Sequence, residues 1–151
     1  MLIQSTRFGE INVSEETIFK FLHGLPGFPE EKEFALLPYQ PDSPFNFMQS
    51  LQDPDLAFMV VEPFLFFREY TFELEDQAAA ELGISEQNPP QIFTIVTIPE
   101  SVEAMTANLL APVVINNRDR TALQIVLDGR NYTTRHRLFP NGFPKAQEGG
   151  M

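Results

Sequence analysis

Two histidines, His23 and His136, are the side chains of this sequence best suited to moving a proton near neutral pH, and neither has neighbours that would make it a catalyst. His23 precedes Gly24 in a turn sequence, and His136 lies between Arg135 and Arg137. No serine stands in a Gly-x-Ser-x-Gly setting, so a nucleophile, base and acid triad has no support. The absence of cysteine removes a thiol nucleophile, disulfides and zinc thiolate sites together, and fits a reducing compartment. Asp53 and Asp55 are a close aspartate pair, but Pro54 between them fits a turn in which Asp53 bonds its own backbone. The longer run of spaced carboxylates that a calcium loop needs is missing. Gly24–Gly27 (GLPG) has proline where a phosphate loop needs an N–H donor; with Pro26 fixing one φ and Gly27 free to take a positive one, it reads as a tight turn. The expectation is a non-enzyme with no metal and no cofactor.

Charge is the stronger signal. The net charge of −11 is unevenly placed. Residues 1–117 carry four basic groups (Arg7, Lys20, Lys32, Arg68) against eighteen acidic ones, whereas residues 118–151 carry six basic and three acidic. Such a body repels nucleic-acid phosphate and attracts basic proteins at salt-dependent rates. Arg118, Arg120, Arg130, Arg135 and Arg137, with Tyr132 beside them, could form a small basic patch, but the bulk acidity argues that they pair with carboxylates or anchor the last strands. Direct nucleic-acid binding is not expected.

The elements that must position these groups are short strands. A chain of 151 residues with 43% hydrophobic and 21% charged residues suits one folded domain with a real core. Residues 1–139 are expected to form it and 140–151 to be a flexible tail, with Phe143 as its one possible anchor. Fifteen phenylalanines and no tryptophan point to a phenylalanine-filled core. Period-two alternation marks Thr17–Leu22, Phe34–Leu37 and Ala57–Val61, while Gln91–Ile98, Ala111–Ile115 and Ala122–Leu127 read as more fully buried strands. Helix is scarce: Asp76–Leu82, with Asp76 as N-cap and Gly83 as terminator, is the best candidate, and single turns are expected at Pro29–Lys32 and after Ser101. The fold class is mainly β, a small antiparallel barrel-like or sandwiched sheet with one or two short helices. No apolar window is long enough to cross a bilayer and no leader-like N-terminus is evident, so a cytoplasmic, membrane-free and monomeric protein is expected.

Met105–Asn116 (MTANLLAPVVIN) runs from a turn of small residues into an apolar strand with no catalytic group, which marks a scaffold feature. With Phe21–Phe28 (FLHGLPGF), Met48–Pro63 (MQSLQDPDLAFMVVEP), Ile95–Pro99 (IVTIP), Gln124–Leu127 (QIVL) and Tyr132–Leu138 (YTTRHRL), it resembles the FliW family of bacterial flagellar assembly factors. The resemblance spans about residues 2–139, in order and with consistent spacing. It implies a small barrel-like non-enzyme that binds flagellin in the cytoplasm and also binds CsrA, a basic-faced dimer that represses translation of flagellin mRNA. The implied cycle is partner exchange: accumulating flagellin occupies the protein and frees CsrA to repress, and export of flagellin reverses this. A ligand- or carbohydrate-binding small β-barrel is the alternative, and it would need an enclosed, aromatic-lined pocket with converging polar groups.

Within Glu69–Glu75 (EYTFELE), read as a strand, Tyr70, Phe72 and Leu74 share one face and Glu69, Thr71, Glu73 and Glu75 the other. Glu69, Glu73, Glu75 and Asp76 are therefore the candidate CsrA-side group, on alternation alone. For flagellin, whose terminal segments are amphipathic helices in the resemblance, an apolar groove near Phe64, Phe66, Phe67 and Leu110 is expected.

Overall fold

Where side chains alternate between two environments, the backbone is extended and its ladder groups need neighbours, and here the neighbours close into a ring. The computed structural model describes every residue except Pro26, Phe28, Pro29, Glu31, Gly129, Arg130 and 143–151. β1 (Leu2–Ser5) and β2 (Gly9–Asn12) form an antiparallel hairpin. β3 (Ile18–Phe21), β4 (Glu33–Pro38), β5 (Phe45–Ser50), β6 (Ala57–Val61) and β7 (Gln91–Thr97) then follow as successive antiparallel neighbours. Between β6 and β7 the chain makes a long excursion that carries a 3-10 turn at Pro63–Leu65 and α1 (Asp76–Leu82).

β8 (Thr106–Ala107), β9 (Val113–Asn116), β10 (Thr121–Gln124) and β11 (His136–Arg137) complete the sheet. β9 pairs with both β7 and β10, and β10 pairs with β3, so seven strands close a barrel while β8 and β11 extend it beside β7. The mainly β expectation stands, with one departure: β10 lies parallel to β3, through Thr121 opposite Lys20 and Ala122 opposite Phe21. Sequence alternation carries no information on strand direction, and these two strands meet across most of the chain's length.

The barrel interior is solid. Phe19, Phe21, Phe34, Met48, Val60 and Phe93 fill it together with Val113 and Ile115. Phe21 packs edge-on against Phe19 and Phe34, with centroids 5.6 and 5.5 Å apart. The outer faces need covers because they too bear apolar residues. The β1–β2 hairpin brings Ile3 and Val13 over Ala35, and α1 lays Leu82 on Val114 and Leu123. A third cluster joins Val61, Tyr70, Val96, Met105, Leu109 and Leu138 under the excursion. α1 ends at Gly83, whose φ of 80° supplies the left-handed cap that the sequence suggests. Its N-cap is Glu75, not Asp76, which is the first helical residue. The single turn after Ser101 is present at Val102–Ala104, and Gly27 takes a φ of 85°. The turn expected at Pro29–Lys32 and the anchor expected at Phe143 rest on residues outside those described.

Candidate functional site

Glu69–Glu75 is not a strand. Tyr70 donates its N–H to Phe67 O at 3.0 Å, closing a turn that contains Glu69, and the chain then runs extended but outside the ladder until α1 begins. The two faces read from the sequence are nonetheless real: Tyr70 is buried, Phe72 and Leu74 are half-buried, and Glu69, Thr71, Glu73 and Glu75 are exposed. Alternation reports which side meets the core; it does not report whether the edges are paired.

Aromatic contacts hold this strip in place. The Tyr70 hydroxyl donates to Leu109 O at 2.7 Å, and the Tyr132 ring stands edge-on to Tyr70 at 4.7 Å between centroids. Burial, with Tyr132 close by as the lesser cause, pushes the Tyr70 hydroxyl above the usual tyrosine range, so it stays protonated and remains a donor. The Tyr132 hydroxyl in turn accepts the Thr71 N–H at 3.0 Å. The strip is thus tied at one end to the segment that precedes β9 and to the one that follows β10.

Between the strip and residues 125–128, with Asn131 and Tyr132, lies an open groove of about 670 Å³. Glu73, Glu75 and Asp76 line one wall, and Asp128 joins them from the other. Among the described lining residues there is no lysine or arginine. Three of the four carboxylates expected to act together are therefore gathered here; Glu69, held in the preceding turn, does not line the groove. Asp128 is the member that sequence reading missed, because it lies some fifty positions away and its own surroundings, Leu127 and Gly129, carry no charge pattern.

The apolar group is more divided. Phe64 is 46% exposed and Leu65 61%, so part of the Phe64–Phe67 run does face solvent. Phe66 and Phe67 are half-buried against the third cluster, Phe66 beside Phe45 and Phe139, and Phe67 beside His136. Leu110 is half-buried, its N–H given to Thr133 O at 3.1 Å.

The remaining candidates have structural partners. Asp55 N–H donates to Asp53 Oδ1 at 2.9 Å, as the turn reading requires, and the Thr6 hydroxyl donates to Asp55. Among the described residues no three acidic or histidine side chains gather as a metal site. His23 Nε2 contacts Glu81 Oε2 at 2.5 Å on the surface, and His136 Nε2 accepts the Thr133 N–H at 2.8 Å. Arg118 pairs with Asp119; Arg120, at a φ of 57°, donates to Ile18 O and Asn117 Oδ1; Arg137 reaches Glu103 O at 3.4 Å. Burial draws the Arg120 guanidinium below its usual range. These arginines hold strand ends and turns, and Arg130 lies outside the described residues. Described side chains such as Phe19, Phe21, Phe34, Met48 and Phe93 occupy the barrel interior, where the alternative ligand-barrel reading needs an enclosed pocket.

Comparison with known proteins agrees with this architecture. A sequence model described as FliW protein matches residues 2–138. The flagellar assembly factor FliW of Desulfitobacterium hafniense (strain DSM 10664 / DCB-2) is 51% identical over 140 residues, covering 93% of this chain and 92% of that one. The flagellar assembly factor FliW of Bacillus subtilis (strain 168) is 44% identical over 136 residues, covering 90% of this chain and 95% of its own. A crystal structure of the flagellar assembly factor FliW superposes with a TM-score of 0.84 at 39% identity, covering 93% of this chain and 98% of that chain.

Proposed function

The chain belongs to the FliW family, and on that premise we propose that it is a non-enzymatic flagellar assembly factor of the cytoplasm, monomeric when free. It binds flagellin, and alternately binds and antagonises the translational repressor CsrA, so that flagellin synthesis follows export. The observation that carries the CsrA half is the acidic groove wall of Glu73, Glu75 and Asp76, joined by Asp128 and free of described cations. A protein with this face docked on a basic RNA-binding dimer puts negative potential beside the phosphate path. Within the Debye length of roughly 8–10 Å that field weakens RNA binding without covering the RNA site. Glu69 adds to the same field from the neighbouring turn.

Flagellin is assigned to the apolar side, where Phe64 is exposed and Phe66, Phe67 and Leu110 lie half-buried behind it. An amphipathic helix needs such a surface, and exposed phenylalanine is a costly residue to leave uncovered. The two assignments differ in their expected salt dependence, strong for the acidic face and weak for the apolar one. The test is titration of the purified protein against CsrA and against flagellin at two salt concentrations, followed by competition between them. The expected result is salt-sensitive CsrA binding that flagellin displaces; absence of binding to both at low salt overturns the assignment.

A further inference from the structure

Glu73 and Val126, which line the acidic groove from its two walls, each carry a backbone N–H with no acceptor among the described residues. After β10, the N–H groups of Ile125 and Leu127 turn to Pro112 O and Leu110 O, at 3.1 and 2.8 Å. Because N–H direction alternates along an extended chain, Val126 N–H points to the opposite edge. That is the edge on which β3 pairs higher up, through Lys20 N–H to Arg120 O and Leu22 N–H to Ala122 O. β3 ends at Phe21, and beyond the bond from Leu22 to Ala122 no backbone bond among the described residues joins this edge. Among the described residues Val126 N–H has no acceptor, and Val126 itself is 68% exposed. On the facing wall, Thr71 N–H reaches Tyr132 at the mouth of the groove. By the same alternation Glu73 N–H lies on that edge, and among the described residues it too has no acceptor.

The space between them suits a strand. A residue in a packed sheet occupies roughly 160 Å³ from the spacings between residues, strands and sheets, so a groove of about 670 Å³ holds about four residues. The floor is apolar, with Phe72, Leu74, Ile125 and Leu127, and the rim is anionic. We propose that this groove takes an extended segment of a protein partner, in which apolar residues alternate with lysine or arginine, as an added strand between Val126 and Glu73. Main-chain hydrogen bonds supply the affinity, and the carboxylates select the basic side chains. The proposal rests on the reading that the acidic face meets a basic protein, and adds how the contact is made.

The sequence has no cysteine, so Val126→Cys introduces a single thiol that can be alkylated with a bulky maleimide after folding. The probe is a fluorescent octapeptide of alternating lysine and valine, followed by anisotropy. It is expected to bind the native protein and unlabelled Val126→Cys alike, and to bind the alkylated protein at least tenfold more weakly. The same label on Glu10→Cys, on the β1–β2 hairpin, leaves binding unchanged. A lysine–valine peptide with alternate amides N-methylated is expected to lose binding, as is a glutamate–valine peptide. Equal binding to native and alkylated protein, equal binding of the N-methylated peptide, or no binding at all overturns strand addition. CsrA added to the peptide complex separates the two ideas. Displacement supports both, whereas a peptide that binds as expected and is not displaced by CsrA keeps the groove and removes CsrA as its occupant.

Discussion

The β4–β6 side of the barrel and the groove beside β10 are built from the same materials, extended chain with aromatic and acidic side chains, and differ in how completely polar groups are matched. On the first side Gln49 is fully buried, yet its Oε1 accepts the Ser5 hydroxyl at 2.8 Å and its amide faces the carbonyls of Asp53, Pro54 and Leu56 at 3.2–3.3 Å. Ser50 Oγ accepts the N–H groups of Gln52 and Asp53. Asn116 does the same work beside α1, donating to Leu82 O at 2.8 Å and accepting from Asn88 and from Asp119 N–H at 3.0 Å. The groove has carboxylates without described cations and backbone N–H groups without described acceptors. A buried unmatched group destabilises, whereas an exposed one is satisfied by water and is available to a partner. Matched motifs therefore mark scaffold, and the unmatched groove is the face proposed to meet a partner.

Substitutions can break this contrast in order of effect. Phe93→Ala, in the filled interior, should cost about 3–5 kcal/mol in urea unfolding, since the closed ring around it cannot collapse onto the void. Asn116→Ala should cost about 2–3 kcal/mol by stranding Leu82 O, the Asn88 amide and Asp119 N–H, and partner affinity per folded molecule should be unchanged. Tyr70→Phe should cost about 1–2 kcal/mol by orphaning Leu109 O, and should speed amide exchange in residues 71–75 before the barrel is affected. Thr94→Val should gain about 1 kcal/mol, because the Thr94 hydroxyl is buried with no partner among the described residues. Glu73→Gln, Glu75→Gln and Asp76→Asn together should change stability by no more than about 0.5 kcal/mol. Their effect should fall on CsrA: weaker binding, a flatter salt dependence and reduced antagonism of RNA binding, read in a filter or anisotropy assay.

What was legible in the sequence follows the same division. Ile18–Phe21, Ala57–Val61 and Gln91–Thr97 announce themselves because their faces meet different environments or a wholly apolar one. β5 does not, since Gln49 and Ser50 look like surface residues until Ser5 and the Asp53–Leu56 turn come round to meet them. The β1–β2 hairpin is hidden for a similar reason: its apolar face is needed because Ala35, with Ile18, Leu37 and Leu51 around it, requires a cover. The acidic strip is legible as a face, although its alternation reads as a strand and the structure leaves it outside the ladder, and Asp128, across the groove, lies beyond any local pattern. The family blocks fall largely on the matched side, with Gln49, Ser50 and Asn116 among their residues, so the resemblance identifies the scaffold more surely than it locates the contacts.

Amide hydrogen exchange of the protein alone and mixed with CsrA, resolved by residue, tests the contrast most directly. The account predicts slow exchange in β4–β6 in both states, fast exchange at Glu73 and Val126 in the free protein, and strong protection of those two amides on binding. Protection that falls elsewhere and leaves Glu73 and Val126 exchanging fast in the complex would contradict it.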